Sequence, residues 1–309
     1  MSTRPQLPAS AEPALRSGLV VAAHGRHAMV ESPDGQRLRC HARGKKSDMV
    51  VGDQVSWQPS GDEGVVERIE PRRNLLFRQD EWRTKSFAAN LDQLLVLVAG
   101  EPMFGESQLA RALVAAESAG IPALIGLNKT DLPAAAAARA RLAPYAAMGV
   151  PVIELALKTE TAAATQRLAA TLAGRRTLVL GPSGSGKSTL INLLVPKAAA
   201  LVGEISQALQ AGRHTTTATR LYWLDDTRSA ALIDSPGFQE FGLRQIEATA
   251  LAPLMPDLRV HLGGCRFSNC THRQEPGCSL RAALERGEIA ASRWRLYGEI
   301  HEELSRTRW

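Results

Sequence analysis

Residues 178–190 read LVLGPSGSGKSTL, and residues 123–133 read ALIGLNKTDLP. In the first stretch an apolar strand ends at Gly181 and a helix-forming run opens at Lys187. Between them Gly181, Pro182, Ser183, Gly184, Ser185 and Gly186 complete G-x-x-x-x-G-K-[ST] with Lys187 and Ser188, and Thr189 follows. Glycines let successive backbone N–H groups converge on phosphate oxygens, and a helix N-terminus adds partial positive charge. In such a loop Lys187 reaches the β- and γ-phosphates and the Ser188 hydroxyl ligates Mg²⁺. In the second stretch a buried-type strand runs into Asn128-Lys129-Thr130-Asp131. A carboxylate at Asp131 accepts from both the N1–H and the exocyclic amine of guanine, and repels the N1 lone pair of adenine. Asn128 braces the loop, and the Lys129 stem lies along the base. The Asp131 chemistry disfavours a P-loop ATPase.

The two stretches stand in the reverse of their usual order, because the base-reading loop precedes the phosphate loop. The surrounding pattern resolves this. The apolar runs at 92–100, 121–128, 151–157, 177–182 and 230–237 end in Gly, Asn, Asp or Pro, with helical stretches between most of them. Such runs fit strands buried on both faces of a mostly parallel sheet with helical crossovers. Residues 219–226, TRLYWLDD, alternate more and read as an edge strand. The run AALID ends in Asp234, followed by Ser235-Pro236-Gly237. An acid there suits the Mg²⁺ shell, and the Gly237 N–H suits the γ-phosphate. Ala156, Leu157 and Lys158 follow the next strand and suit a backbone contact to the guanine oxygen. The order is base loop, second base loop, phosphate loop, Thr-rich loop, D-x-P-G. That is a rotation of the usual order with every element kept: a circular permutation.

Outside this α/β block the pattern changes. Residues 18–70 hold five short β-rich segments separated by turn signals, which suggests a small barrel or sandwich. Residues 36–46, QRLRCHARGKK, carry five basic side chains and no acid: Arg37, Arg39, Arg43, Lys45 and Lys46. They suit phosphate contacts or, equally, a solvated loop. Residues 71–90 read as a connector, and 1–16 as a disordered tail without a secretory core. No apolar run approaches the roughly 20 residues that span a bilayer. A chain 44% hydrophobic and 22% charged is ordinary for a soluble protein, so the expected location is cytoplasmic. The net charge of +6 permits nucleic-acid binding without requiring it. Of four cysteines, Cys265, Cys270 and Cys278 cluster with His272, a Cys₃His set that suits a closed structural Zn²⁺ site. His261 is a competitor for the histidine position. The stretch 289–309 reads as helical.

In AANLDQ (88–93), NKTD (128–131), GPSGSGKSTL (181–190), GRHTTT (212–217), DSPGFQEFGL (234–243) and CRFSNCTHRQEPGC (265–278), the chain resembles the circularly permuted small-ribosomal-subunit biogenesis GTPases, the RsgA or YjeQ family. The resemblance covers roughly residues 17–305. It implies a multi-domain chain: an all-β OB-fold RNA-binding barrel over 17–70, a connector over 71–90, an α/β permuted P-loop GTPase over 91–246, and a small zinc-binding α domain over 247–309. It implies a monomer that hydrolyses GTP on the small ribosomal subunit and its rRNA during late subunit maturation. Where many GTPases carry a water-orienting Gln after D-x-P-G, this chain has Phe238. The family pattern gives that role to His214, and the Mg²⁺-ligating threonine to Thr216, with Thr215 the alternative. The rival reading is an RNA-binding switch whose GTP site hardly turns over.

Overall fold

The computed structural model describes residues 14–44, 48–79, 84–196, 198, 219–235, 238 and 241–306. The first five strands are β1 (Arg16–His24), β2 (His27–Glu31), β3 (Arg37–Ala42), β4 (Gln54–Ser60) and β5 (Glu63–Ile69). They follow the five β-rich segments of the sequence. They pair in the order β1-β2-β3-β5-β4, and a further β1–β4 pairing closes the set into a barrel. Inward-facing Val20, Val30, Cys40, Val55, Trp57 and Val66 fill it. Burial of the Cys40 thiol pushes its pKa up to about 12.

The stretch read as a connector is a hairpin, β6 (Leu75–Gln79) paired antiparallel with β7 (Thr84–Ala89). Its Leu76 and Phe87 are fully buried. Asn90 then joins three parts: its Nδ2 donates to the Gly52 carbonyl at 2.9 Å and its Oδ1 accepts from the Arg73 N–H at 2.8 Å.

The α/β block runs β8 (Gln93–Ala99), α1 (Glu106–Ser118), β9 (Ala123–Asn128), α2 (Ala135–Ala147), β10 (Val152–Glu154), α3 (Thr161–Leu172), β11 (Arg176–Leu180), α4 (Lys187–Leu194), β12 (Thr219–Trp223) and β13 (Ala231–Asp234). Its spatial order is β10-β9-β8-β11-β13-β12, parallel except for β12. The chain builds outward from β8 to β10, then returns to β11 on the other side of β8. The strand order therefore reverses between β8 and β11, and ligands of open α/β sheets bind at such a switch point. The phosphate loop leaves β11 there.

β12 is not an edge strand. Its outer side pairs with β1, with Ala22 opposite Arg220 and Ala23 opposite Thr219, so barrel and α/β block share one 11-stranded sheet. An alternating strand at a sheet margin leaves unpaired N–H and C=O groups, and the barrel covers them.

The C-terminal segment holds α5 (Pro256–Arg259), α6 (Ser279–Glu285) and α7 (Ala291–Ser305). The zinc-binding domain expected over 247–309 shares its apolar core with the α/β block. Leu258, Leu280, Leu296 and Ile300 belong to the same apolar core as Leu94, Leu109 and Tyr145 of the α/β block. Arg293, 2% exposed, donates to both Asp257 oxygens at 2.7 and 3.0 Å and lies 4.9 Å over the Tyr145 ring of α2. Arg293→Ala would strand the mostly buried Asp257 carboxylate. We expect it to cost about 3 kcal/mol or more, read as a lower denaturant midpoint. A loss under about 1 kcal/mol, the size of an exposed pair, would show that this junction carries little stability.

Candidate nucleotide site and metal cluster

β11 delivers the phosphate loop into the start of α4. Gly186 caps that helix at φ +101°, and a Cβ there would come within 2.1 Å of Asn128 Nδ2. Only glycine allows this close approach together with this backbone. The approach has a purpose. Asn128, 3% exposed, donates from Nδ2 to the Ser185 carbonyl at 2.9 Å and accepts at Oδ1 from the Leu157 N–H at 3.2 Å. One side-chain amide thus pins together the NKTD loop, the 156–158 loop and the phosphate loop. An aspartate could not donate, and an aliphatic residue would orphan two buried backbone groups.

Lys129 sits at φ +62° and donates to the Glu101 carbonyl at 2.6 Å, which holds its stem along the cleft wall. Thr130 donates through N–H and Oγ1 to the Leu155 carbonyl, at 3.2 and 3.1 Å. Asp131, next in the chain, is exposed. Ala156 and Leu157 are buried. The Leu157 N–H is committed to Asn128, so a contact from this loop to a base falls to its neighbours.

A cleft of about 630 Å³ lies over the loop, walled by Lys129 and Lys158 on one side and by Gly181 to Gly184, Gly186 to Thr189 and Phe238 on the other. At its floor the Lys187 ammonium stands 2.5 Å from Asp234 Oδ1. Both are partly exposed, and β13 places Asp234 in register with Val179 of β11. Lys187 and Ser188 line the cleft with Asp234 reached through Lys187, and of the NKTD loop Lys129 lines it while Asn128 and Asp131 do not. Phe238 does more than replace a glutamine. It is 4% exposed and packs edge-on against Phe241 (6.3 Å), which stacks on Phe87 of β7 (5.5 Å). Neither this aromatic path nor the Glu101 contact has a signal in the sequence. His214, Thr215, Thr216 and Gly237 lie outside the described residues.

The basic run on the barrel is not a strip of uncompensated charge. Arg37 pairs with Glu31 at 2.7 Å, Arg39 with Glu63 at 3.3 Å and Arg43 with Glu67 at 2.6 Å. The acids arrive from neighbouring strands, which a linear count of charge does not see. Lys45 and Lys46 lie outside the described residues.

In the C-terminal segment the ligand atoms of Cys265, Cys270, His272 and Cys278 all lie within 4.8 Å of one another. His272 Nδ1 is 3.4 Å from Cys265 Sγ and 3.5 Å from Cys278 Sγ. Metal–S and metal–N bonds of about 2.3 and 2.0–2.1 Å in a tetrahedron set such pairs roughly 3.6 Å apart, so the donors suit one four-coordinate ion. Burial lowers the His272 pKa, which favours the neutral imidazole that ligation needs. The Ser279 N–H donates to Cys265 Sγ at 3.4 Å, as an amide does to a thiolate. His261 is not in this set and instead faces Glu288 at 3.7 Å. Cys40 is in the barrel core.

A phosphate loop, a guanine-type reading loop joined to it through one asparagine, and a sheet entered in rotated order define a circularly permuted P-loop GTPase. The RsgA GTPase family model matches residues 69–244. A small ribosomal subunit biogenesis GTPase RsgA of Variovorax paradoxus is 58% identical over 301 residues, covering 96% of this chain and 94% of that one. One of Bordetella pertussis is 54% identical over 288 residues, covering 93% and 95%. Among solved structures, YjeQ from Thermotoga maritima superposes with a TM-score of 0.74 at 29% identity, covering 96% of this chain and all of that one. YloQ, a circularly permuted GTPase, gives 0.70 at 25% identity, covering 98% and 100%. This chain belongs to the RsgA GTPase family and is a GTP hydrolase. No helix among the described residues is long and apolar enough to cross a membrane.

Proposed function

We propose that this chain hydrolyses GTP to GDP and phosphate on the small ribosomal subunit during late maturation; its relatives are named small ribosomal subunit biogenesis GTPases. The observation that carries the reading is the Asn128 bridge, which fixes a guanine-reading loop against a phosphate loop. Asp131 accepts from the guanine edge. The phosphate-loop N–H groups and Lys187 hold the β- and γ-phosphates. Ser188, Asp234 and Thr216 hold Mg²⁺, which neutralises charge on the phosphate oxygens when bound. Water attacks the γ-phosphorus, the bond to the bridging oxygen breaks, and that electron pair leaves on GDP. His214 orients the water and takes its proton, because Phe238 has no polar group to do so.

The Cys₃His set holds Zn²⁺ with no position left for a substrate, so its role is structural. The five-stranded barrel is read as an OB-fold facing rRNA. With Arg37, Arg39 and Arg43 ion-paired, its phosphate contacts require exchange of those partners or rest on Lys45 and Lys46. The protein acts as a cytoplasmic monomer. The test is phosphate release with and without purified small subunits. We expect strong stimulation, and His214→Ala should keep nucleotide affinity while losing about a hundredfold or more of the stimulated rate. A wild-type rate unchanged by subunits would instead favour the occupancy-switch reading, and a fully active His214→Ala would remove His214 from the chemistry.

A further inference from the structure

Glu31 ends β2 and is 5% exposed. A buried carboxylate needs partners, and Glu31 collects three. Arg37, of its own barrel, donates to Oε2 at 2.7 Å. The other two come from the α/β block. The Trp223 indole N–H, at the end of β12, donates to Oε1 at 2.7 Å, and the Arg228 guanidinium stands 3.6 Å from the same oxygen. Arg228 also donates to the Pro33 carbonyl at 3.3 Å. Its guanidinium lies where a Cβ of Gly35 would be, 1.9 Å from Nη2, so the β2–β3 turn is shaped to receive it.

This junction sits on a strand with direct access to the nucleotide site. β12 is the only antiparallel member of the α/β sheet among the described residues, and it lies between β1 and β13. In the ladder Arg220 stands opposite Asp234, the carboxylate beside Lys187. Thr219 Oγ1 is 2.9 Å from Ser235 Oγ, the residue after Asp234. In sequence, β12 follows directly on the loop that bears His214 and Thr216. The N-terminal end of β12, next in sequence to the stretch that bears His214 and Thr216, pairs with β1 of the barrel, and its other end is bonded to the barrel again through Glu31. The Glu31 carboxylate is buried and its indole bond part-buried, so these hold their geometry better than a surface contact does, while Arg228 closes the junction from its exposed side.

We infer that Glu31, with Trp223 and Arg228, is a positioning latch through which engagement of the barrel by the small subunit sets β12, and with it the placement of Asp234 beside Lys187. The inference rests on the subunit-stimulated GTPase reading above. Among the described residues Glu31 touches none proposed to bind nucleotide or metal, and it acts through β12.

The test separates binding of the subunit from its effect. Phosphate release is measured against subunit concentration for Glu31→Gln, Glu31→Ala and the double variant Trp223→Phe/Arg228→Ala. The latch predicts that the maximal stimulated rate falls about tenfold, within the 5- to 150-fold range of common couplings, while GDP affinity stays near wild type in all three and the half-saturating subunit concentration stays near wild type in the double variant, which leaves Arg37 paired with Glu31. Arg228→Lys should restore part of the rate. Amide exchange over β12 should rise in the same variants without nucleotide or subunit present. The double variant leaves the barrel residues intact, so it decides the matter if Glu31→Ala misfolds. A double variant with wild-type maximal stimulation overturns the latch. A loss of rate that follows entirely from weaker subunit binding overturns it also, since Glu31 would then be a docking residue. A wild-type chain that subunits do not stimulate would overturn the underlying reading, and the latch with it.

Discussion

Asp131→Asn is expected to weaken GTP and GDP binding by about a hundredfold or more and to transfer preference to xanthine nucleotides. Two charge-assisted hydrogen bonds from the guanine edge, each worth about 1.5–3 kcal/mol, end on this one carboxylate. Asparagine offers an acceptor and a donor instead. Its donor meets the guanine amine and pairs with the carbonyl that xanthine carries in that place. The scaffold should tolerate the change. Asp131 is exposed, and the loop is held by Asn128, Lys129 and Thr130 through contacts that do not involve it. Asn128→Ala should therefore behave differently: it leaves the Ser185 carbonyl and the Leu157 N–H unpaired, loosens the phosphate loop as well, and weakens every nucleotide alike. Competition of GTP, XTP and ATP against labelled GDP separates the two. Wild-type protein that binds ATP as well as GTP, or an Asp131→Asn variant with unchanged guanine affinity, would defeat the assignment of the base reader.

The contrast between these two residues bears on what a sequence exposes. The phosphate loop, the NKTD strand and the acid of β13 were legible because each is a short contiguous stretch whose chemistry forces its residue types. The rotation could be read because only the order of such stretches is needed. The hairpin of β6 and β7 reads in sequence as a connector: its buried Leu76 and Phe87 stand among arginines and lysines, and each strand is too short for its alternation to register. The outer partner of β12 was invisible for a different reason. Pairing register between distant segments is set by tertiary packing, and nothing local to residues 219–223 specifies β1. The same blindness made Arg37, Arg39 and Arg43 look like a basic strip, because Glu31, Glu63 and Glu67 reach them across strands. The C-terminal segment reads as autonomous in sequence because its Cys₃His set is so conspicuous. Its apolar residues, which join it to α1 and α2, are spaced as in any helix.

That shared core sharpens what metal removal should do. In a free-standing zinc module binding of the ion contributes about 10–16 kcal/mol and the apo form is unfolded. Here α7 is held independently, by Leu296 and Ile300 in the core, by the Arg293–Asp257 pair and by Arg111 with Glu303. Chelation should therefore open the loop over 262–278 while α7 stays docked and the nucleotide cleft stays formed. The cysteines offer a direct reading. Cys40 has no exposed surface and a thiol pKa pushed up to about 12, so it carries almost no thiolate at neutral pH. In the metal-loaded protein none of the four thiols should react rapidly with a maleimide. After chelation Cys265, Cys270 and Cys278 should react, and Cys40 only on global unfolding. Cys270→Ser should reproduce the chelated state without a chelator, with GDP affinity unchanged. Three thiols as reactive before chelation as after would show that no metal is held there. Loss of GDP binding on chelation would show that the ion supports the α/β block and not its own loop alone.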